Sequence, residues 1–189
     1  MNTEYEFTQD YASKWGSNWA AWTEGFGLRP CNVLEIGSYE GGSALWWLDN
    51  VVTHPASRLT LIDPCHDSGR YGRLLRNLSR HPHIGKVKLL RERSVDGLSQ
   101  IPRYSCDLIY IDGSHEGVDV LADAAVCLNK VKEGGILIFD DYRWREREGG
   151  PRKVMPGPAI DAFLAVASPW VELIHMDYQV AVRKISHVK

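Results

Sequence analysis

The sequence is short of the features that mark a specialised environment. Its 189 residues hold four cysteines, Cys31, Cys65, Cys106 and Cys127, and no two are spaced as C-x-x-C. That speaks against a disulfide framework and for reduced, mostly structural thiols in a cytoplasmic chain. Its apolar runs are strand-sized and fall far below the roughly 20 residues that a membrane span needs. The opening residues Met1-Asn2-Thr3-Glu4-Tyr5-Glu6 are acidic, with neither a basic nor an apolar region, so no signal peptide is expected. Charge of one sign is missing too. Twenty-two Lys and Arg against 24 Asp and Glu give a net charge of −2, and bulk charge predicts no nucleic-acid partner. There is no internal repeat and no Pro/Ser linker. With 44% hydrophobic and 24% charged residues, the chain reads as a single globular domain over residues 1–189.

What is present begins with seven tryptophans. Thr8 is placed to cap a helix running to about Gly25. Trp15, Trp19, Trp22 and Phe26 recur on it at i, i+4, i+7 and i+11 and make one aromatic stripe. This stripe either packs the helix onto a sheet or, with Trp144, covers an acceptor, so residues 1–28 are a candidate substrate cap. Strand-like runs follow at Asn32–Gly37, Arg58–Asp63, Val87–Arg91, Asp107–Asp112 and Gly135–Asp140. Helical patterns alternate with them. One puts Tyr71, Leu74, Leu75 and Leu78 on a face ringed by Arg70, Arg73, Arg76 and Arg80. Another shares Val118, Leu121, Ala125 and Leu128 and ends at Gly134-Gly135. The interiors Leu108–Ile111 and Ile136–Phe139 are continuously apolar, as strands covered on both faces are. After a helix near Pro158–Val166, the runs Val171–Met176 and Gln179–Ile185 are separated only by Asp177-Tyr178. So short a connection makes an antiparallel hairpin, because a parallel crossover needs a dozen residues or more. The expected fold is α/β: a Rossmann-like, mostly parallel seven-stranded sheet with helices on both faces and a C-terminal antiparallel hairpin.

The first strand leads into Glu35-Ile36-Gly37-Ser38-Tyr39-Glu40-Gly41-Gly42-Ser43, a glycine-rich turn opening an amphipathic helix. Glycines there permit close approach of a ligand, and the helix N-terminus offers free N–H groups. A dinucleotide site carries G-x-G-x-x-G with its second glycine against the pyrophosphate. Here that place is Tyr39, and the acidic Glu35 suits a cationic ligand better. Glu35-x-Gly37-x-x-x-Gly41 resembles motif I of the class I S-adenosylmethionine-dependent methyltransferases. The resemblance spans about Asn32 to Arg183. It implies that Glu35, Gly37, Ser38 and Gly41 hold the amino-acid end of the cofactor and that Asp63 takes the ribose hydroxyls. It also implies that Ser94 lies where adenine is contacted and that Asp112 borders the cofactor.

Two further strand ends are acidic: Ile111-Asp112-Gly113-Ser114-His115 and Phe139-Asp140-Asp141-Tyr142. In a parallel sheet both open on the edge where ligands bind. Taken singly, Asp112 suits a helix cap and Asp140 a turn cap. Taken together with Asp141, three close carboxylates repel unless a cation sits among them, and hard oxygen ligands favour Mg²⁺. The pattern resembles the metal-dependent small-molecule O-methyltransferases, in particular the branch of the macrolide-sugar and aminocoumarin enzymes. That resemblance implies Asp112, Asp140 and Asp141 as Mg²⁺ ligands and His115 as the base that deprotonates an acceptor hydroxyl. The Asp140-Asp141 pair and His115 stand where catechol-type relatives carry Asp-Asn and lysine, which disfavours a catechol acceptor.

Arg143, Arg145, Arg147, Arg152 and Lys153 follow the acidic pair, interrupted by Glu146 and Glu148. They read either as a rim recruiting an anionic group or as a solvated loop. The expectation is therefore a cytoplasmic S-adenosylmethionine-dependent, Mg²⁺-assisted O-methyltransferase, with room for a homodimer. Its acceptor would be a small molecule, anionic, aromatic or sugar-like, and neither nucleic acid nor membrane would be a partner. The alternatives are a metal-independent methyltransferase and a cofactor-binding protein without turnover. Tyr39 and the terminal hairpin count against an NAD-dependent oxidoreductase.

Overall fold

The computed structural model describes residues 5–144 and 155–187. The chain divides into two compact units, Met1–Arg93 and Ser94–Lys189. The first contains α1 (Tyr11–Trp22), a 3₁₀ turn (Phe26–Leu28), β1 (Asn32–Ile36), α2 (Gly42–Asn50), β2 (Arg58–Ile62), α3 (Ser68–Arg80), a second 3₁₀ turn (Ile84–Lys86) and β3 (Val87–Leu90). β1 and β3 flank β2 in parallel, with Glu35 opposite Leu61 and Leu61 opposite Leu89. The second contains α4 (Ser94–Ser99), β4 (Cys106–Ile111), α5 (Gly117–Cys127), β5 (Val131–Phe139), α6 (Pro156–Ala167), β6 (Val171–Met176) and β7 (Val180–Lys184). β4 and β5 are parallel, whereas β7 runs antiparallel to both β5 and β6. The seven strands follow the order β3-β2-β1-β4-β5-β7-β6. The sheet class and the terminal hairpin expected from the sequence are both present.

Local rules explain most element ends, and three elements, α1, α5 and β5, differ from expectation. Asp10, not Thr8, caps α1: its Oδ1 accepts the Ser13 N–H at 3.0 Å. Thr8 is drawn away by the buried carboxylate of Glu40, which accepts its N–H at 2.6 Å. The helix then stops at Trp22, because Gly25 adopts φ +79° and turns the chain. Phe26 is thus buried from a 3₁₀ turn rather than from the end of a long stripe. Of the stripe, Trp19 alone is fully enclosed, against Trp46 and Trp47 at ring-centroid distances of 5.3 and 4.9 Å, while Trp15 and Trp22 are half-buried.

The other two concern the second unit. α5 turns inward Val120, Asp123, Ala124 and Cys127 and leaves Val118 and Leu121 exposed, a different phase from the expected face. Apolar residues occur all round this helix, so periodicity could not choose a side. β5 starts at Val131, so Gly134-Gly135 lies inside a strand and does not end a helix. Gly134 has φ +77°, and a Cβ on Gly135 would lie 2.8 Å from the Asp107 carbonyl oxygen. The pair marks a register shift against β4 at Cys106–Leu108.

All four cysteines are free and buried. No helix among the described residues is long and apolar enough to cross a membrane. The packing around α1 predicts an asymmetry between its tryptophans. Trp19→Ala should cost about 3–5 kcal/mol of unfolding free energy, the scale of emptying an enclosed aromatic site. Trp22→Ala should cost well under half as much. Urea unfolding measures both, and equal losses would contradict the burial described.

Candidate functional site

The glycine-rich turn after β1 is a tight piece of backbone. Gly37 and Gly41 have φ +85° and +89°, and between them Tyr39 is held at φ +46°, a conformation that a residue with a side chain rarely adopts. The Asp63 carboxylate, just past β2, keeps the turn in place. Its Oδ2 accepts the Ser38 N–H at 2.8 Å and the Tyr39 N–H at 3.2 Å, and its Oδ1 accepts the Cys65 N–H at 2.7 Å. Cys65 is also left-handed, at φ +51°. Strain of this kind persists only where neighbours over-determine it, and it gathers at binding sites. Asp63 is therefore a brace for the turn.

Glu35 lies beneath the turn and is wholly buried. Ser43 Oγ donates to its Oε1 at 3.1 Å, and the Ser38 hydroxyl and the Trp47 indole N–H lie near the carboxyl without ideal hydrogen-bond geometry. Burial, aided by the Asp63 charge, pushes the Glu35 carboxyl from its ordinary 4.5 up to about 8. A buried acid beside a buried hydroxyl at the glycine-rich turn fits the cationic amino-acid end of S-adenosylmethionine. Ser94 begins α4, and its side chain near Asp123 offsets part of the effect of burial on that carboxyl. Burial pushes Asp123 to about 6. Asp123 is a buried acid that the sequence reading passed over.

The second unit carries the acidic strand ends. Asp140 follows β5, where its N–H donates to the Ile111 carbonyl at 3.0 Å. Its Oδ2 accepts from the Tyr110 hydroxyl and, at 2.9 Å, from Gln179 Nε2, and its Oδ1 accepts the Asp141 N–H at 2.7 Å. The same Tyr110 hydroxyl lies 3.3 Å from Asp112 Oδ2. Desolvation and the neighbouring Asp141 raise the Asp140 carboxyl above its usual range. Asp141, at φ +59°, accepts from Tyr178 at Oδ1, at 2.8 Å, and faces His115 Nε2 through Oδ2 at 2.6 Å. Hydrogen bonding to Asp141 lifts the His115 imidazole above its ordinary range. The indole of Trp144 stacks on that imidazole at 4.5 Å, with the planes 24° apart.

Asp112, Asp140 and Asp141 thus share neighbours, and their oxygens face Tyr110, Gln179, Tyr178, His115 and backbone. Among the described residues no three His, Cys, Asp or Glu side chains gather as a metal-holding group. The arrangement does not fit a bound dication as it stands. Tyr110, Tyr178 and Gln179 were not singled out in the sequence as site residues, since one sits mid-strand, one in what reads as a plain hairpin turn and one at the start of the last strand-like run. In the rim, Arg143 pairs with Asp177 at 2.8 Å. Arg145, Arg147, Arg152 and Lys153 lie outside the described residues.

The strand order, the motif I turn and its acidic brace together define a class I S-adenosylmethionine-dependent methyltransferase fold. A methyltransferase-domain family model matches residues 34–142, more than half of the chain, and the chain belongs to that family. An uncharacterized protein of Acanthamoeba polyphaga mimivirus is 31% identical over 120 residues, covering 59% of this chain and 52% of that one. A second, from Sinorhizobium fredii, is 27% identical over 130 residues, covering 65% of this chain and 14% of that protein. The chain thus spans about half or less of these relatives. Among solved structures, the O-methyltransferase from Bacillus cereus in complex with S-adenosylhomocysteine superposes with a TM-score of 0.64 at 18% identity, covering 97% of this chain and 94% of that one. The MycE methyltransferase of the mycinamycin pathway, in complex with Mg, S-adenosylhomocysteine and mycinamycin VI, gives 0.67 at 17% identity, covering 96% and 51%. At these identities the likeness is one of fold.

Glu35 yields a prediction with a definite sign. Its folded pKa, about 8, lies above its ordinary 4.5, so the native state keeps a proton that the unfolded chain gives up. Its contribution is fully present below pH 4.5 and is lost as pH rises towards 8. Glu35→Gln removes this penalty. The melting temperature of the variant relative to wild type should therefore rise between pH 5 and pH 8, as calorimetry would show. An equal difference at both pH values would rule out a buried, titrating Glu35.

Proposed function

We propose that the chain transfers the methyl group of S-adenosylmethionine to a hydroxyl of a small molecule, with His115 as the base. The observation that carries this is the His115–Asp141 pair at 2.6 Å, with a side chain that is still 46% exposed on the imidazole. The cofactor supplies a methyl group already activated on a sulfonium, so the protein has to position the acceptor and take up its proton. Nε2 faces a carboxylate and is the protonated nitrogen, which leaves Nδ1 to accept the proton. Asp141 fixes the ring and stabilises the imidazolium that forms, and the Tyr178 hydroxyl fixes Asp141. The Trp144 ring beside His115 supports an aromatic or sugar-like acceptor. Glu35, Ser38 and the turn from Gly37 to Gly41 would hold the amino-acid end of the cofactor, and Asp63 the ribose. Four buried, free thiols suit a reducing, cytoplasmic compartment.

Magnesium assistance is the second reading, favoured by the burial and the neighbouring Asp141 charge that raise Asp140. It requires Asp112, Asp140 and Asp141 to exchange their present protein donors for a cation. The two readings separate in one assay, turnover of labelled S-adenosylmethionine against a panel of phenols and sugars. On the base reading, activity survives excess chelator, and His115→Ala lowers kcat by about 10²–10⁴-fold while S-adenosylhomocysteine still binds. Loss of activity in chelator with recovery in Mg²⁺ would instead establish the metal, and a wild-type kcat in His115→Ala would remove the base.

The cofactor half has its own check. Asp63→Ala should weaken S-adenosylhomocysteine binding by about 1–3 kcal/mol in titration calorimetry, the scale of one unpaired polar group. Tighter binding of NAD than of S-adenosylhomocysteine would refute the reading.

A further inference from the structure

The residues ahead of α1 are tied to the motif I turn. Glu40, in the middle of that turn, is a fully buried residue whose carboxylate would be costly to enclose without partners. Its partners come from outside the turn. The Thr8 N–H donates to Oε2 at 2.6 Å, the Thr8 hydroxyl reaches Oε1 at 3.0 Å, and Arg73 Nε of α3 donates to Oε1 at 2.6 Å. The Glu40 carbonyl accepts from Asn77 Nδ2 at 2.8 Å. Asn77 also clamps the backbone of Glu6, accepting its N–H at 2.8 Å and donating to its carbonyl at 3.0 Å. Glu6 in turn pairs with Arg76 and Arg80, which hold its carboxyl below the usual range. Tyr39 is gripped by the same segment: its hydroxyl is 3.0 Å from Thr8 Oγ1, its ring meets Tyr11 edge-on, and Arg70 lies over its face.

The contacts of Thr8, Tyr11, Arg70, Arg73 and Asn77 with Tyr39 and Glu40 land on the residues that carry the left-handed turn. Tyr39 at φ +46° and Gly41 at φ +89° flank Glu40, so the conformation is imposed from both sides. Asp63 draws in the N–H groups of Ser38 and Tyr39, while Thr8, Arg73 and Asn77 hold Glu40. Were either pull missing, the strained Tyr39 would relax and the turn would lose its shape.

We infer that Thr8 and Glu40 are positioning residues of the cofactor site: the segment 6–11 is a strap that fixes the motif I turn for S-adenosylmethionine, rather than a cover for the acceptor. The inference rests on the reading of that turn as the cofactor site. Thr8→Val removes one hydroxyl and keeps the backbone donor, and Thr8 is exposed, so the fold is retained. Titration calorimetry with S-adenosylhomocysteine, well below each variant's unfolding transition, should show Kd raised about tenfold in Thr8→Val and at least as much in Glu40→Gln. Thr8→Ser should restore wild-type affinity. A purely structural role would lower the melting temperature and leave Kd unchanged at low temperature, and that outcome would overturn the inference while wild-type binding upholds the cofactor site. Failure of the wild type to bind S-adenosylhomocysteine would overturn the cofactor reading, and this inference with it.

Discussion

One carboxylate, that of Asp63, links the two ends of the parallel strands β1 and β2. By accepting three backbone N–H groups, from Ser38, Tyr39 and Cys65, it stabilises two residues in left-handed geometry that neither would adopt alone. Burial raises the Glu35 carboxyl, and the same negative charge adds to that rise. A single side chain at a strand end thus sets the shape of the turn and contributes to the charge state beneath it. The remainder of the first unit, from the Glu40 pins to the packing of α3, elaborates this arrangement.

The second unit solves a different electrostatic problem. Three carboxylates stand at the ends of β4 and β5, and the fold meets their repulsion with neutral donors. Tyr110 and Gln179, each 1% exposed, face Asp140, and Tyr178 faces Asp141. The hairpin between β6 and β7 is what delivers Tyr178 and Gln179, so an element that looks like mere sheet closure supplies two of the site's hydrogen-bond donors. Its antiparallel course allows this, because a short turn brings a strand's first residues back to the same edge.

The sequence was most informative where chemistry and periodicity agree. Alternating apolar runs gave the strands, the two-residue gap at Asp177-Tyr178 gave the hairpin, and the spacing of Glu35, Gly37 and Gly41 with Asp63 gave the turn. What escaped was anything decided by contacts distant along the chain. Thr8 looks like a helix cap until Glu40, 32 residues away, claims it. Tyr110 reads as one more apolar strand residue, since nothing local shows that its hydroxyl meets two acids. α5 is apolar around its circumference, so only packing determines its buried side. The acids at the strand ends were legible as a group, but whether they meet a cation or protein donors depends on Tyr178 and Gln179, whose positions follow from tertiary structure.

The burial of the cysteines has a consequence of its own. Desolvation pushes Cys65 to about 12 and Cys106 to about 11, and raises Cys127 as well, so these three carry almost no thiolate near neutral pH. Thiolate, not thiol, is the form that oxidants and electrophiles attack. In the folded chain these three thiols are therefore slow to react with alkylating reagents. Their labelling speeds up as strands and helices part, and its rate is a clock for local opening, residue by residue, in a molecule that needs no added probe.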